Sequence, residues 1–377
     1  MTVHISLDEW KEEFRPITTE DVAEAISQDS SWTSSQTGMG RLHEMQIVEK
    51  LDNLSGLDRV VEIGSNEGLT TLELSMILPE AAVTGVDIDD KAVEKAVQNR
   101  EALETFQEFL SKLPSDNYSA EKAIGQCDQE SLGIDVDMSR YFSDHIDRFS
   151  FRSFAQNSYV VEPVEHVSYL ISKGDKDWES MLNDYVEDMR KIGDVDFRNL
   201  GALQTSEAGT DYDLVFAPNS VGTLDNTAVF SRLGKLKRDE SELYNKAREE
   251  ADNSMEVIEE ATGKTTQAAR EVFMEQFLDE AAEVTGENGA LLIADGRQYL
   301  HMEYNDGWQA VEGRGAVNER KSGMCKTYEE KRADALYEGW LALDNVDTEG
   351  YVEKMLNENG EEETLYQVIN GEKVDLS

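Results

Sequence analysis

The chain has 377 residues, of which 79 are acidic and 35 basic, so its formal net charge at pH 7 is −44. This charge argues against an extended nucleic-acid surface, which needs clustered lysine and arginine. The acids are spread along the chain, and in dilute buffer their repulsion would strain a compact protein. The composition therefore indicates a halophilic protein adapted to concentrated salt, with an ordinary acidic protein as the alternative.

Length allows about two domains or one elaborated α/β domain. No apolar run reaches the roughly 18 residues that span a membrane, and the N-terminal segment carries acids instead of a basic and then apolar signal pattern. We therefore expect a cytoplasmic protein without a membrane span or signal peptide. Cys127 and Cys325 lie far apart in the sequence, which favours free thiols over structural zinc or a disulfide.

Hydrophobic spacing predicts an alternation of helices and strands up to Pro114. In chain order these are an amphipathic helix over 42–54, a strand over Val60–Ile63, a helix over Leu69–Leu78, a strand over Ala82–Ile88 and a helix from Lys91 to about Leu113. A strand, a helix and a strand in this order form a βαβ unit.

Beyond Pro114 the alternation fails until a strand at Val195–Phe197. The later predicted elements are a strand over Tyr212–Ala217, two helices within 243–284 broken near Thr262–Gly263, a strand over Gly289–Ala294 and a type I′ hairpin at Asn370–Gly371. A further helix is predicted over Trp178–Ile192. The whole pattern predicts an α/β fold: a doubly wound, mostly parallel, Rossmann-like sheet with helical insertions and a C-terminal antiparallel hairpin.

The turn after the first predicted strand is the strongest functional signal. It contains Gly64 and Gly68, and glycine there lets the backbone turn sharply and lets a ligand lie against main-chain atoms. Asp87 ends the next strand, the usual position for a carboxylate that accepts hydrogen bonds from ribose hydroxyls. The turn lacks the third glycine of a dinucleotide site, and Glu67 would place a carboxylate beside any phosphate. A pyrophosphate is therefore a poor ligand.

This stretch resembles the first motif of class I S-adenosylmethionine-dependent methyltransferases, an acid-x-Gly-x-x-x-Gly turn that holds the amino-acid part of the cofactor. Glu62, Gly64 and Gly68 match the motif, and Asp87 falls where the family keeps its ribose-binding acid. The resemblance implies S-adenosyl-L-methionine as the cofactor, bound by Glu62, Gly64, Ser65, Asn66, Gly68, Asp87 and Ile88. A glycine turn in some other parallel α/β protein is the alternative.

The resemblance also divides the chain. Its expected parts are an N-terminal helical cap (1–54), the first half of the cofactor-binding core (55–114), an insertion (115–191), core strands (192–225), a helical insertion (226–285), and the last core strands with the C-terminal region (286–377).

Candidates for the acceptor side follow the fourth strand. Pro218-Asn219-Ser220 stands at the family's fourth motif but lacks the aromatic of enzymes that act on exocyclic amines, which argues against a nucleobase acceptor. Asn219 is a candidate to orient a substrate, with a plain turn as the equal alternative. His301 is a candidate base on position alone. At the third motif, Asn199 and the residues after it replace the acid that the family often carries near the adenine.

Two further patterns bear on ligand binding. Arg314, Arg320, Lys321 and Lys326 form a short basic region that could receive an anionic substrate, or that could simply neutralise nearby carboxylates. The segment 345–356 has part of a calcium-loop spacing, but Leu356 stands where a bidentate Glu is required. No metal site is predicted.

We therefore expect a cytoplasmic methyltransferase that acts on an oxygen or nitrogen of a small molecule or a protein side chain. The cofactor brings its own leaving group, so no catalytic triad is required. One alternative is a methyltransferase-fold binding or assembly protein without transfer activity. Another is an NAD(P)-dependent oxidoreductase, which the 65–67 turn argues against. The acceptor and the oligomeric state stay open.

Overall fold

The computed structural model describes residues 5–14, 16–28, 48, 56–111, 193–218, 220, 242–250, 255–295, 298–315, 339–356 and 362–376. The chain divides into two compact units, which we call the first unit (Gln36–Asn199) and the second unit (Met1–Ser35 with Leu200–Ser377). Each is described by itself.

The described elements, in chain order, are α1 (Leu7–Glu12), α2 (Thr19–Gln28), β1 (Arg59–Ile63), α3 (Leu69–Ile77), β2 (Ala82–Asp87), α4 (Asp90–Ser111), β3 (Asp194–Asn199), a 3-10 helix (Ala202–Ala208), β4 (Tyr212–Pro218), α5 (Glu242–Glu250), α6 (Met255–Val284), β5 (Thr285–Asp295), β6 (Gln298–Tyr304), β7 (Trp308–Arg314), β8 (Val346–Asp347), β9 (Val352–Leu356), β10 (Glu362–Ile369) and β11 (Glu372–Asp375).

The first unit contains a parallel sheet in the order β1-β2-β3. Ile63 pairs with Val86 at the end of β1, and Asp87 pairs with Asn199 at the end of β2. Val60 and Val61 are fully buried, as expected for a strand covered on both faces. The predicted strand–helix–strand unit is confirmed, and its register brings the ends of β1, β2 and β3 to one edge.

The second unit contains a mixed sheet in the order β11-β10-β9-β7-β6-β5-β4, with β8 beside β7. Strands β4 and β5 are parallel, whereas β5, β6 and β7 form an antiparallel meander. The C-terminal hairpin joins β10 to β11 through Asn370 and Gly371, whose φ values of 54° and 72° suit a type I′ turn. An α/β fold with a mixed sheet and this hairpin confirms the coarse prediction.

Helix α6 forms the centre of the second unit's core. Its residues Phe273, Phe277 and Leu278 are buried, and the Phe277 ring meets Trp340 edge-on with ring centroids 5.6 Å apart. Helix α1 packs against α6, and Lys11 forms an ion pair with Glu271 at 2.8 Å. None of the helices in the described ranges has an apolar stretch long enough to span a membrane.

The predicted helix break at Thr262–Gly263 is wrong. Helix α6 runs without interruption from Met255 to Val284, and nothing lies within 4 Å of where a Gly263 side chain would begin. An exposed glycine costs a helix only about 1 kcal/mol, and the burial of the helix's apolar face exceeds that cost.

Strands β6 and β7 were not anticipated from the sequence, because the mixed polarity of Gln298–Arg314 hides their alternation. Apart from Val48, which is helical and buried, the helix over 42–54 lies outside the described residues. The helix over Trp178–Ile192 and the whole 115–191 insertion lie outside them as well. The proposed division of the chain into functional parts remains a prediction.

Candidate functional site

The loop between β1 and α3 has an unusual backbone. Gly64, Asn66 and Gly68 have φ values of 78°, 49° and 80°, a left-handed conformation that glycine adopts freely and asparagine tolerates better than most residues. The amides of Gly64 and Ser65 both donate to the carbonyl oxygen of Val86, at 2.8 and 3.0 Å, and the Gly68 amide donates to Ser65 at 2.8 Å. The loop is therefore bound to the end of β2.

Asp87 holds this arrangement together. Its Oδ2 accepts a hydrogen bond from the backbone N–H of Asn66 at 2.8 Å, and its Oδ1 accepts one from the backbone N–H of Asp89 at 2.9 Å. Burial raises the pKa of the Asp87 carboxyl, although these two amide hydrogen bonds act in the opposite direction. The carboxylate accepts about four hydrogen bonds in all, and the backbone N–H of Ile88 acts on it as a third donor, so about one position is left for a ligand. The sequence did not reveal this structural role.

Asn199 fixes the end of β2 from the neighbouring strand. Its Nδ2 donates to the carbonyl oxygens of Asp87 and Ile88, at 3.1 and 3.0 Å. These two hydrogen bonds set the orientation of the Asn199 side-chain amide, whose Oδ1 is directed away from the two carbonyls. The sequence marked Asn199 only as a departure from an acid. The signal that could have found its role is its position at a strand end directly beside Asp87.

Glu62 has no contact with solvent, and it accepts a hydrogen bond from the Thr71 hydroxyl on α3. In this structure its side chain joins β1 to α3. The resemblance assigns Glu62 to the cofactor, whereas its contacts here are with the protein.

Packing also explains two glycines. A Cβ atom at Gly68 would lie 2.6 Å from Cζ of Phe197 and 2.7 Å from Cβ of Ala96. At Gly85, in the middle of β2, it would lie 2.7 Å from the Thr71 hydroxyl. Gly68 is therefore required by its backbone conformation and by Phe197, without any appeal to a ligand. Gly85 was not singled out by the sequence.

Ser65 and Glu67 complete the loop. Ser65 is 1% exposed, and its hydroxyl has no hydrogen-bond partner within the described ranges. The Glu67 carbonyl accepts from Asn99 Nδ2 of α4 at 2.9 Å. Asp89 caps the same helix, because its Oδ1 accepts the Lys91 amide at 2.9 Å. The site is thus a rigid loop flanked by carboxylates.

The structure describes two of the remaining candidates, His301 and Arg314. Asn219, Cys127, Cys325 and the basic residues 320–326 lie outside the described residues. His301 lies within β6, where it pairs with Leu292 of β5 and Glu312 of β7. Arg314 is 6% exposed and forms an ion pair with Glu362, so for Arg314 the charge-neutralising alternative is confirmed.

The discounted calcium segment also has a structural explanation. The Glu349 carboxylate accepts the amides of Asn370 and Gly371, at 2.9 and 3.1 Å, and so holds the C-terminal turn. Within the described ranges no three or more His, Cys, Asp or Glu residues are placed to hold a metal ion.

No protein-family model matches this chain, and no curated protein is significantly similar to it. Its function is therefore argued from the site's own residues.

Proposed function

We propose that this protein is a cytoplasmic S-adenosylmethionine-dependent methyltransferase acting on an oxygen or nitrogen of a small molecule or protein side chain. The proposal rests on the hydrogen bonds that the backbone amides of the β1–α3 loop donate. Those of Gly64, Ser65, Asn66 and Gly68 all donate hydrogen bonds within the protein. A pyrophosphate needs loop amides of this kind as donors, so the loop suits a nucleoside cofactor without phosphate.

Charge supports the same conclusion. Glu67, Asp87 and Asp89 put three carboxylates on the loop and the turn beside it. S-adenosylmethionine carries a positive sulfonium, and a negative surface attracts a cation. NAD and related cofactors are anionic and would be repelled.

Asp87 would hold the ribose through its remaining accepting position, because backbone amides fix both of its oxygens. Such fixed acceptors lose little freedom when a ligand binds. Ile88 follows directly and would offer an apolar side chain to the base, and the loop residues Gly64 to Gly68 would border the amino-acid part. When bound, the cofactor supplies an activated methyl group together with its leaving group, and the protein positions the acceptor.

Calorimetric titration in multi-molar KCl tests this proposal. We expect S-adenosylhomocysteine to bind and NAD not to bind. Asp87→Ala should weaken binding at least about tenfold, because it removes a charged acceptor for the ligand, worth about 1.5–3 kcal/mol, and also releases the loop.

A matched control is Asp347→Ala in the second unit. Asp347 Oδ1 accepts the Glu349 amide at 2.9 Å, the same local contact that Asp87 makes with Asp89. This variant should bind S-adenosylhomocysteine like the parent. Binding of NAD alone, or equal affinity of the Asp87→Ala variant and the parent, would refute the proposal.

One observation favours a second candidate, a methyltransferase-fold binding or assembly protein without transfer activity. The Glu62 carboxylate is fully buried, and its Oε2 accepts the Thr71 hydroxyl, so this part of the motif serves the packing of the protein. Binding of S-adenosylhomocysteine without methyl transfer to any extract component would support this candidate.

A further inference from the structure

The second unit carries two buried oxygens that are unusual in a folded protein. Ser220 and Gln298 are each 7% exposed, and neither Ser220 Oγ nor Gln298 Oε1 has a hydrogen-bond partner in the described part of the chain. Buried polar atoms are nearly always hydrogen-bonded, because a buried atom without a partner loses its hydrogen bonds to water and gains no other. Each such exception requires an explanation.

Both residues come at the same edge of the sheet in the strand register. Strands β4 and β5 are parallel, with Pro218 paired to Ala294, and Ser220 comes two residues after Pro218. Gln298 begins β6 and pairs with Asp295 at the end of β5. Two strand spacings separate the backbones of β4 and β6, about 10 Å. In parallel sheets this carboxyl edge is where ligands bind.

Two other buried hydroxyls, unlike that of Ser65, have hydrogen-bond acceptors. Ser75 Oγ donates to the Leu72 carbonyl at 2.7 Å, and Thr205 Oγ1 donates to that of Ala202 at 3.1 Å. In both cases a helical carbonyl within one turn provides the acceptor. Ser220 and Gln298 stand at strand ends, where no helical turn offers such a carbonyl.

We propose that the second unit binds, at Ser220 and Gln298, an uncharged ligand that donates hydrogen bonds, such as a hydroxyl or amide N–H group. An amide oxygen only accepts hydrogen bonds, and a hydroxyl oxygen accepts as well as donates. The described cation along this edge, Arg314, is already paired with Glu362, so a carboxylate or phosphate gains little there. The inference does not depend on the cofactor proposed for the first unit.

Acetamide and acetate provide a matched pair of probes, because they have nearly the same size and only acetamide donates hydrogen bonds. Saturation-transfer NMR titrations in concentrated KCl should detect binding of acetamide and not of acetate. Ser220→Ala and Gln298→Leu should each weaken acetamide binding about 3- to 10-fold, the loss of one hydrogen bond. Ser75→Ala, a buried serine of the first unit, should leave binding unchanged.

Thermal melting separates binding from folding. Because neither oxygen has a partner, Ser220→Ala and Gln298→Leu should not lower the Tm, whereas Ser75→Ala should lower it. The proposal is overturned if acetate binds as well as acetamide, or if both variants bind acetamide like the parent. It is also overturned if both variants lower the Tm as much as Ser75→Ala, or if a crystal soaked in acetamide has only water at both oxygens.

Discussion

Replacing Gly68 by alanine tests the packing of the glycine loop most directly. Gly68 has φ +80°, and an alanine Cβ there would lie 2.6 Å from the Phe197 ring and 2.7 Å from Ala96. A left-handed backbone costs a residue with a side chain about 1–2 kcal/mol, and overpacking a core costs about 1–3 kcal/mol. We therefore expect Gly68→Ala to lower the free energy of unfolding by about 2–5 kcal/mol.

Substitutions at two other glycines distinguish the backbone cost from the overpacking cost. Gly350 has φ +86° with nothing within 4 Å of a new Cβ, so Gly350→Ala should cost only the backbone term, about 1–2 kcal/mol. Gly263 lies in α6 with open space around it, and Gly263→Ala should stabilise the protein by about 1 kcal/mol.

Equilibrium denaturation in concentrated KCl measures all three variants, and Phe197→Ala completes a double-mutant cycle with Gly68→Ala. In the Phe197→Ala background, the cost of Gly68→Ala should fall toward that of Gly350→Ala. Equal costs for Gly68→Ala and Gly350→Ala in the parent would show that Phe197 and Ala96 do not constrain this position. Under the proposed function, Gly68→Ala should also weaken S-adenosylhomocysteine binding.

Four further outcomes are expected. Burial raises the pKa of Asp87 above its ordinary 3.8. The protonated carboxyl therefore stabilises the folded state. This stabilisation is fully present below the pKa of the unfolded state and is lost as pH rises through the pKa of the folded state. As pH rises between these two pKa values, the free energy of unfolding of the parent should decrease relative to that of Asp87→Asn. An increase would contradict the raised pKa of Asp87. Asn199→Asp removes two donated hydrogen bonds and places a carboxylate beside two carbonyls. Denaturation should therefore show that the free energy of unfolding falls by about 1–3 kcal/mol. Unchanged stability would show that Asn199 does not hold the end of β2. Arg314→Met leaves Glu362 partly buried without its cation and should cost about 3–5 kcal/mol, whereas the double variant with Glu362→Leu should recover most of this loss. Finally, a net charge of −44 predicts a higher Tm in multi-molar KCl than at about 0.1 M, and equal values would argue against adaptation to salt.

Local sequence patterns were sufficient for the elements whose geometry depends on nearby residues. The alternation from Val60 to Asp87 identified β1, α3 and β2 because apolar spacing follows the period of each element. The Asn370–Gly371 pair identified the hairpin because these two residue types tolerate positive φ. The glycines of the loop were recognised for the same conformational reason.

Only the tertiary structure decided which groups the loop residues contact. Asp87 reaches Asn66, 21 positions away, and Asn199 reaches the Asp87 carbonyl across 112 positions. Phe197 constrains Gly68 from a different strand, and Glu62 is paired with Thr71 inside the core. The sequence by itself indicated that the backbone of this loop turns sharply at its glycines, since allowed φ values belong to each residue type. The partners of its polar groups depend on strand register and helix packing, which are set by contacts between distant parts of the chain.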